Sequence, residues 1–374
     1  MRKLLKILLI LINVAGGAAL AFTALAGELN PQSHPVTVIA TMTFPAWVLI
    51  AFVILLADFF FLRKWCVFMA ACFAVSLPLA FTVLPVNFDR GEVPEELSRQ
   101  EWTLLSYNIS NYKDLTNEYP GDVNPSLTYI LKTDADVVVL PEGRYLTPGA
   151  QFHIAQPQLD SIHERYPNII IGQDITLLSK FPAREVHLNS FPRQAYLGEK
   201  GHSKAACFMV DIHNVPTAIF GVHMKSLGLT SDDKMLYKDF TRGQGITSRS
   251  EISEAKNDII SKIAAANVER AAQIDALILE IDSINCPNTI VCGDFNDTPG
   301  CYSLNMLGKA GFREVYPLVG NGYMFTYNRD RLLFQIDHVL FRGKMRPWSQ
   351  IRGNLKISDH YSLLTTFIPD SERQ

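Results

Sequence analysis

The hydrophobic residues of this chain are concentrated in its first ninety positions, where they form long runs without amphipathic patterning. Three runs stand out, at residues 7–27, 36–62 and 65–86. Each is longer than the roughly 18–20 apolar residues that a helix needs to cross a bilayer. Three such runs in succession predict a three-helix transmembrane region over residues 1–87, rather than buried helices of a soluble core.

The positions of the basic residues predict the orientation of this region. Three basic residues precede the first run, two separate the second run from the third, and residues 28–35 contain neither Lys nor Arg. Cytoplasmic loops carry an excess of Lys and Arg, so the N-terminus and the turn at 63–64 are expected in the cytoplasm. The part after about residue 87 is then expected to be periplasmic or otherwise extracytoplasmic, on a multi-pass protein of a bacterial-type inner membrane.

Two features of the membrane part need separate interpretation. Asp58 lies little more than one helical turn before Arg63, which predicts an ion pair at the membrane interface. Residues 24–26 before Gly27 resemble a signal-peptidase site, so cleavage of residues 1–26 is an alternative to a first helix. The uncleaved helix is favoured because the apolar stretch is long for a signal peptide.

Beyond residue 100 the pattern changes to short apolar runs separated by turn residues. Residues 88–100 are polar, contain Gly and Pro, and are interpreted as a linker to a catalytic domain at 101–374. Strands are predicted at 102–109, 136–140, 168–171, 175–179, 185–188, 205–212, 217–224, 289–292, 312–315, 324–327, 334–341 and 361–367. Helices are predicted at 125–133, 151–166, 251–282 and 302–310. Many strands with few intervening helices predict an α/β domain with two sheets packed face to face and helices outside.

Charge and cysteine content narrow the function classes. Residues 1–87 hold five Lys/Arg against two acidic residues, which leaves 29 against 35 for the remainder, a net charge of −6. The sequence has no basic run of the kind that binds nucleic acid. A nuclease is still not excluded, because a bound divalent cation supplies local positive charge.

The six cysteines have no metal-binding spacing. A Cys286–Cys301 disulfide is left open, because spacing alone does not establish it.

The most informative short stretch is residues 290–299, I-V-C-G-D-F-N-D-T-P. Asp294 and Asn296 are two residues apart at the end of an apolar strand, so in an extended chain they share one face. A carboxylate beside a carboxamide suits a site that handles phosphate, metal or an activated water. The alternative is a turn, since Gly, Asp and Asn favour turns for local reasons.

Five further short signals end or adjoin predicted strands. They are S-Y-N-I with Asn108, V-L-P-E with Glu142, G-V-H-M with His223, I-D-H with Asp337, and S-D-H with Asp359 and His360. In this order, together with G-D-F-N, they resemble the endonuclease/exonuclease/phosphatase superfamily. The resemblance covers about residues 101–368, and residues 228–250 have no counterpart in it.

The resemblance implies a four-layer α/β/β/α sandwich and hydrolysis of a phosphoester by in-line attack of water, with Mg²⁺ or Mn²⁺ as cofactor. Mg²⁺ prefers hard oxygen ligands, one or two of them carboxylates, which points to Glu142 and Asp359 with Asn108 close by. The metal would polarise the phosphoryl group and neutralise developing charge.

The resemblance also implies roles for five catalytic residues. Asp294 and Asn296 would position the attacking water and a phosphate oxygen, and His223 would bind a non-bridging oxygen or the leaving group. His360 can accept a proton from water, with Asp337 orienting its ring. Whether Asp294 or His360 is the general base is left open.

These observations predict a membrane-anchored, extracytoplasmic, metal-dependent phosphoester hydrolase, most simply a phosphodiesterase. Within that class the alternatives are a nuclease acting on DNA or RNA and a sphingomyelinase-like phospholipase, the membrane tether favouring a lipid headgroup. A catalytically inert membrane scaffold is the non-enzyme alternative. It is disfavoured because no acidic or histidine position of the motif set is missing. The expected partners are the membrane and the phosphoester substrate, and the sequence indicates no protein partner.

Overall fold

The N-terminal part of the chain is a bundle of three helices. The computed structural model describes residues 2–88, 90–116, 123–147, 154–189, 204–228, 249–329 and 333–370. Its first helices are α1 (Arg2–Leu25), α2 (Thr37–Phe61) and α3 (Cys66–Val83). By length and composition each is apolar enough to cross a membrane. The three predicted apolar helices are therefore present.

One polar contact joins two of these helices inside the bundle. Asn13 of α1 donates a hydrogen bond to the carboxylate of Asp58 on α2, and both side chains are buried. No ion pair joins Asp58 to Arg63, although both residues are described. The predicted interfacial ion pair is therefore wrong. Asp58 points into the bundle, where only a neighbouring helix can supply a hydrogen-bond donor to a buried carboxylate.

The described residues beyond the bundle contain twelve strands in two six-stranded sheets. In chain order they are β1 (Trp102–Ser106), β2 (Val137–Pro141), β3 (Asn168–Ile171), β4 (Ile175–Ser179), β5 (Ala183–Val186), β6 (Lys204–Ile212), β7 (Val215–His223), β8 (Asn288–Asp294), β9 (Arg313–Glu314), β10 (Asp337–Arg342), β11 (Met345–Arg352) and β12 (Leu363–Pro369). The strand order is β11-β12-β1-β2-β4-β3 in the first sheet and β5-β6-β7-β8-β10-β9 in the second. The pairs β1–β2 and β7–β8 are parallel, and the other pairs are antiparallel.

Helices cover the outer faces of both sheets. The described helices after the bundle are, in chain order, α4 (Glu95–Ser98), α5 (Pro125–Thr133), α6 (Gln156–Arg165), α7 (Arg249–Ile284), α8 (Tyr302–Lys309) and α9 (Tyr316–Val319). Of these, α5 to α8 cover the outer faces, and α9 packs against the cluster between the sheets. One apolar cluster fills the space between the sheets, a second joins α5 and α6 to the first sheet, and a third joins α7 and α8 to the second sheet. The four-layer α/β/β/α sandwich predicted from the sequence is thereby confirmed.

One predicted strand is absent from the structure, and one observed strand was not predicted. Residues 324–327 do not form a strand and contribute only an isolated bridge from Tyr327 to His360. Conversely, β11 was missed, because Pro347 and its polar and charged neighbours do not look like a strand. That composition suits its position at the edge of the first sheet, where an unpaired side tolerates proline and charge.

All six cysteines of the chain are free. No disulfide links Cys286 and Cys301, and all six cysteines are described as thiols. The Cys301 sulfur instead lies 2.9 Å from the Thr41 hydroxyl of α2. This contact is one of several between the bundle and the sandwich.

The bundle docks directly onto the sandwich near the loop that follows β8. Lys309 forms a 2.8 Å ion pair with Glu28, and Asn267 of α7 donates a 3.0 Å hydrogen bond to the carbonyl of Pro35. Gly27 packs against the backbone of Gly300, where a Cβ atom on Gly27 would collide with the Gly300 carbonyl oxygen. Close backbone approach of this kind requires glycine.

Substituting Gly27 tests this docking. Gly27→Ala should destabilise the full chain by about 1–3 kcal/mol, because the added methyl overpacks the contact with Gly300. Gly308→Ala is the matched control, since a Cβ there meets nothing within 4 Å and the residue lies in α8. Thermal unfolding of the detergent-solubilised protein is the measurement, and equal unfolding temperatures for Gly27→Ala and wild type would contradict the docked arrangement.

Candidate active site

Three of the predicted site residues are brought together by the pairing of neighbouring strands. Parallel pairing of β7 with β8 puts His223 opposite Asp294, and antiparallel pairing of β10 with β8 puts Asp337 opposite the same residue. Asp294 therefore lies between His223 and Asp337 at one edge of the second sheet. The sequence places these residues far apart, and only the register of the central strand makes them neighbours.

The first sheet contributes Asn108 and Glu142, which follow the parallel strands β1 and β2. The carboxyl ends of parallel neighbours meet at the same sheet edge, so these two residues are adjacent. The Asn108 amide Nδ2 lies 3.4 Å from Glu142 Oε1 and 3.1 Å from Asp294 Oδ2. Glu142 follows a strand of the first sheet and Asp294 ends a strand of the second. The Asn108 amide, which donates to both carboxylates, therefore links the two sheets at the site.

The last two site residues lie on the loop that precedes β12. The Ser358 hydroxyl donates a 2.7 Å hydrogen bond to the Asn108 carbonyl and accepts one of 3.2 Å from the His360 backbone N–H. Ser358 thus fixes the loop to the end of β1. This anchor turns Asp359 and His360 toward the same cleft as Glu142.

His360 is held between two carboxylates. Its Nδ1 lies 2.8 Å from Asp337 Oδ2, and its Nε2 lies 3.6 Å from Asp294 Oδ2. Burial by itself would lower the pKa of His360, but the charges of Asp337 and Asp294 raise it well above 6.5. The two carboxylates thus favour the imidazolium form of the ring, which has a proton to share with a bound anion.

His223 has a similar environment on the opposite side of Asp294. Its Nδ1 lies 2.7 Å from Asp174 Oδ2, and its Nε2 lies 3.9 Å from both Glu142 Oε1 and Asp294 Oδ2. Burial would lower the pKa of His223, but the hydrogen bond to Asp174 and the nearby carboxylates raise it to about 9. The Asp174 bond also fixes which ring nitrogen faces the cleft.

Asp294 is the carboxylate on which these contacts converge. It is almost fully buried, and its Oδ1 accepts a 2.9 Å hydrogen bond from the Asn296 backbone N–H. Burial raises the pKa of Asp294 to about 6, with the charge of His360 opposing that rise and the charge of Asp337 adding to it. A carboxyl with its pKa this close to neutral can accept a proton during a reaction and release it afterwards.

Two site residues have left-handed backbone conformations. Glu142 has φ 56° and Asn296 has φ 51°, values that non-glycine residues adopt infrequently. The Asn296 amide donates a 3.1 Å hydrogen bond to the Met224 carbonyl just after β7, which holds the side chain beside the cleft. Conformations of this kind cluster at functional sites, where the surrounding contacts maintain them.

The family can be identified once this arrangement is seen. The sequence model of the endonuclease/exonuclease/phosphatase family matches residues 105–360, which include every site residue described above. The chain belongs to this family. Its members are phosphoester hydrolases, mostly metal-dependent. No curated protein matches the sequence significantly.

Several solved structures are similar in fold. An endonuclease/exonuclease/phosphatase from Beutenbergia cavernae is 15% identical with a TM-score of 0.49, over 72% of each chain. A humanized Danio rerio TDP2 is 16% identical with a TM-score of 0.44, over 72% of this chain and 99% of that one. The human Nocturnin catalytic domain with bound sulfate is 14% identical with a TM-score of 0.45, over 72% of this chain and 93% of that one. The family assignment rests on the match to the family model, not on these likenesses.

The chemistry of the cleft fits the divalent cation that this family generally uses. Carboxylates of Glu142, Asp294 and Asp359 line it together with the Asn296 amide, and no Lys or Arg is among its described lining residues. His223 and His360 offset part of the negative charge of these carboxylates, and a bound cation would offset more of it. Hard oxygen donors of this kind suit Mg²⁺ or Mn²⁺.

A second cluster in the same site could also hold a cation by distance alone. Ligand atoms of Asp294, Asp337 and His360 lie within 4.8 Å of one another, and all three residues are buried. However, His360 Nδ1 is already hydrogen-bonded to Asp337, and the raised pKa of His360 disfavours the neutral imidazole that a metal needs. Glu142 and Asp359 line the cleft and are partly exposed, whereas all three residues of this cluster are buried.

Sequence reasoning missed two groups that support the site. Asp174, in the short G-Q-D segment before β4, looks like an ordinary turn residue but orients His223. Arg270 of α7 forms a fully buried 2.9 Å ion pair with Asp297. The sequence does place Arg270 on the apolar face of α7, four residues before Ile274, and a charge on such a face indicates a buried partner.

His338 also has a structural role that the sequence did not indicate. Its Nδ1 lies 2.6 Å from Glu314 Oε1, and its Nε2 lies 2.9 Å from the Asp297 carbonyl oxygen. Burial would lower the pKa of His338, but the charge of Glu314 raises it. Because both ring nitrogens face oxygen acceptors, His338 fixes the loop that carries Asn296 and Asp297. Residues 229–248 of the segment without a family counterpart lie outside the described part of the chain.

Proposed function

We propose that this protein is a membrane-anchored, divalent-metal-dependent phosphodiesterase whose catalytic domain lies outside the cytoplasm. The observation that carries the proposal is the position of Asp294 Oδ2. It lies 3.6 Å from His360 Nε2 and 3.9 Å from His223 Nε2, in a cleft with Glu142 and Asp359. A basic carboxylate between two imidazolium groups provides one proton acceptor and two proton donors around a phosphoryl group.

In the proposed reaction Asp294 is the general base. A water oxygen attacks phosphorus in line with the leaving oxygen, and Asp294 takes the proton that the water loses. The bond from phosphorus to the leaving oxygen breaks, and an imidazolium N–H of His223 supplies the proton that the leaving oxygen needs. His360 is a weaker candidate for the base, because its raised pKa means that it already carries a proton.

The remaining residues position the reactants. Asp337 keeps His360 charged and oriented, so that its Nε2 can donate to a non-bridging phosphoryl oxygen. Asn296 holds the attacking water or a phosphate oxygen from the other side of Asp294. Glu142 and Asp359, with Asn108 beside them, would bind Mg²⁺ or Mn²⁺, which when present neutralises charge on the phosphoryl oxygens.

Substitution of the proposed metal ligand and of the proposed phosphate-binding histidine tests the function. Glu142→Gln and His360→Ala should each lower kcat/KM for a simple phosphodiester by at least about a hundredfold with Mg²⁺ or Mn²⁺ present. The matched controls Glu95→Gln and His163→Ala change exposed residues away from the cleft and should retain activity. Chelation with EDTA should abolish the wild-type activity. Full activity in either site variant, with a normal unfolding temperature, would refute the assignment.

The dependence of activity on pH distinguishes the two candidate bases. If Asp294 is the base, kcat/KM should rise with pH through a limb at or below about 6, and it should fall through about 9 as His223 loses its proton. Asp174→Asn removes the charge that holds the His223 proton, so it should move the alkaline limb to lower pH and leave the acid limb in place. An acid limb that disappears in His360→Ala would instead make His360 the base.

The orientation in the membrane has its own test. Alkaline phosphatase is active only outside the bacterial cytoplasm, so fusion of this enzyme after residue 374 should give activity in intact cells. Fusion after residue 64, in the turn between α2 and α3, should give none, because that turn is expected in the cytoplasm. The reverse result would place the catalytic domain in the cytoplasm and overturn this part of the proposal.

A further inference from the structure

The cleft that holds the proposed catalytic residues has one wall made by the membrane bundle. Val38 and Met42 of α2 line it opposite the carboxylates, together with Phe334 and Ile336 of the sandwich. Val38 and Met42 are four residues apart, so they lie on the same face of the helix. This pair is called the membrane-side wall below.

The membrane-side wall lies near the end of α2 that faces the sandwich. A helix of 25 residues is about 37 Å long, whereas the hydrocarbon core of a bilayer is about 30 Å thick. About one turn of α2 therefore extends beyond the hydrocarbon core. Val38 and Met42 are the second and sixth residues of the helix, which puts them at the level where phospholipid headgroups and the first methylenes of their chains lie. Further along α2, large apolar side chains such as Leu49 and Val53 are exposed on the bundle surface.

The wall is fixed in place by contacts with the same loop that carries the catalytic residues. Thr41, next to Met42, contacts the Cys301 thiol at 2.9 Å, and Thr298 lies between this contact and Asn296 in the chain. Thr298 itself lines the cleft. The distance between the bundle and the carboxylates is thus set by one short, well-packed segment.

A second cavity of only about 20 Å³ adjoins the cleft along the bundle. Met42, Phe334 and Thr298 line both the cleft, about 190 Å³ in volume, and this second cavity, which reaches Pro45 of α2 and Val83 of α3. The lining is polar at the carboxylates and more apolar toward the helices. A polar cleft beside an apolar helix surface suits a ligand in which a phosphate group is joined to a hydrocarbon chain.

Charge favours the same kind of ligand over a nucleic acid. The residues after 87 carry a net charge of −6, and no Lys or Arg is among the described residues that line the cleft. Binding of a polynucleotide depends on basic side chains that contact successive phosphates. A ligand with a single phosphate and an apolar chain does not need a row of basic side chains.

From these observations we infer that the substrate is a lipid-linked phosphoester of the leaflet on the side of the catalytic domain. Its phosphate enters the cleft while its hydrocarbon chain lies against Val38 and Met42 and stays in the bilayer. This inference rests on the proposed phosphodiesterase activity. It adds that the bundle takes part in substrate recognition, so the helices do more than anchor the domain.

The test uses two esters that differ only in the hydrocarbon chain. The full-length protein in phosphatidylcholine nanodiscs, with Mn²⁺, is given methyl p-nitrophenyl phosphate and hexadecyl p-nitrophenyl phosphate. The measured quantity is the ratio of kcat/KM for the hexadecyl ester to that for the methyl ester. In the wild type this ratio should be at least about ten, because the chain adds apolar contact and holds the ester at the membrane.

Variants separate recognition by the wall from simple partition of the hexadecyl ester into the bilayer. Met42→Ala should lower the ratio about fivefold or more, because it removes apolar contact with the chain, and Met42→Leu should largely restore it. Leu49→Ala is the matched control, since Leu49 lies on the same helix two turns further on and is 69% exposed on the bundle surface. It should leave the ratio unchanged.

The possible failures are distinguishable. A wild-type ratio near one, or a ratio that Met42→Ala leaves unchanged, would overturn the lipid inference while the phosphodiesterase proposal stands. If neither ester is cleaved with any divalent cation, the proposed function fails and the lipid inference fails with it. Hydrolysis of single-stranded DNA at a higher kcat/KM than the hexadecyl ester would assign the cleft to nucleic acid instead.

Discussion

Asp294 is paired across the second sheet with His223 on one side and with Asp337 on the other, and the site depends on this register. Side chains on a strand alternate between faces, so a slip of one residue in β8 would turn Asp294 away from both partners. His360 would then lose one of the two carboxylates that raise its pKa, and His223 would lose one of its neighbouring carboxylates. A single pairing constraint therefore determines both the positions and the protonation states of the proposed catalytic groups.

The pairing of β8 brings several buried carboxylates close together, and their charges repel one another. Nearby basic groups offset this repulsion. Arg270 balances Asp297, and His338 bridges the Asp297 carbonyl and Glu314 beneath the site. These charges are costly to bury singly, but paired and hydrogen-bonded they hold the loop after β8 in one conformation. The loop needs this support because Asn296 has a left-handed backbone conformation.

The sequence was sufficient to predict the helices and strands whose position follows from the local residue pattern. Helix α5 and strands β3 and β4 were predicted with their observed bounds, because Pro125 marks a helix start and the strands are continuous apolar runs. Partners set by the tertiary fold were not visible. Asp174 looks like a turn residue until β4 brings it to His223, and β11 looks like a loop until its edge position accounts for Pro347. Asp58 was assigned to Arg63, its neighbour in sequence, whereas its partner Asn13 belongs to another helix.

Local pattern also gave no sign that the bundle and the site are one unit. Residues 1–87 look like an anchor and residues 101–374 look like an independent enzyme domain, so the sequence suggests that the two can be separated. In the structure, the loop from Asp294 to Cys301 has proposed catalytic residues at one end and helix contacts at the other. Removing the bundle would take away Val38 and Met42, leave the Cys301 thiol without Thr41, and open the cleft to water on that side. Water in the cleft would weaken each charge interaction around Asp294, because electrostatic energies fall as the effective dielectric rises. The membrane helices are therefore better regarded as part of the site than as an attachment to it.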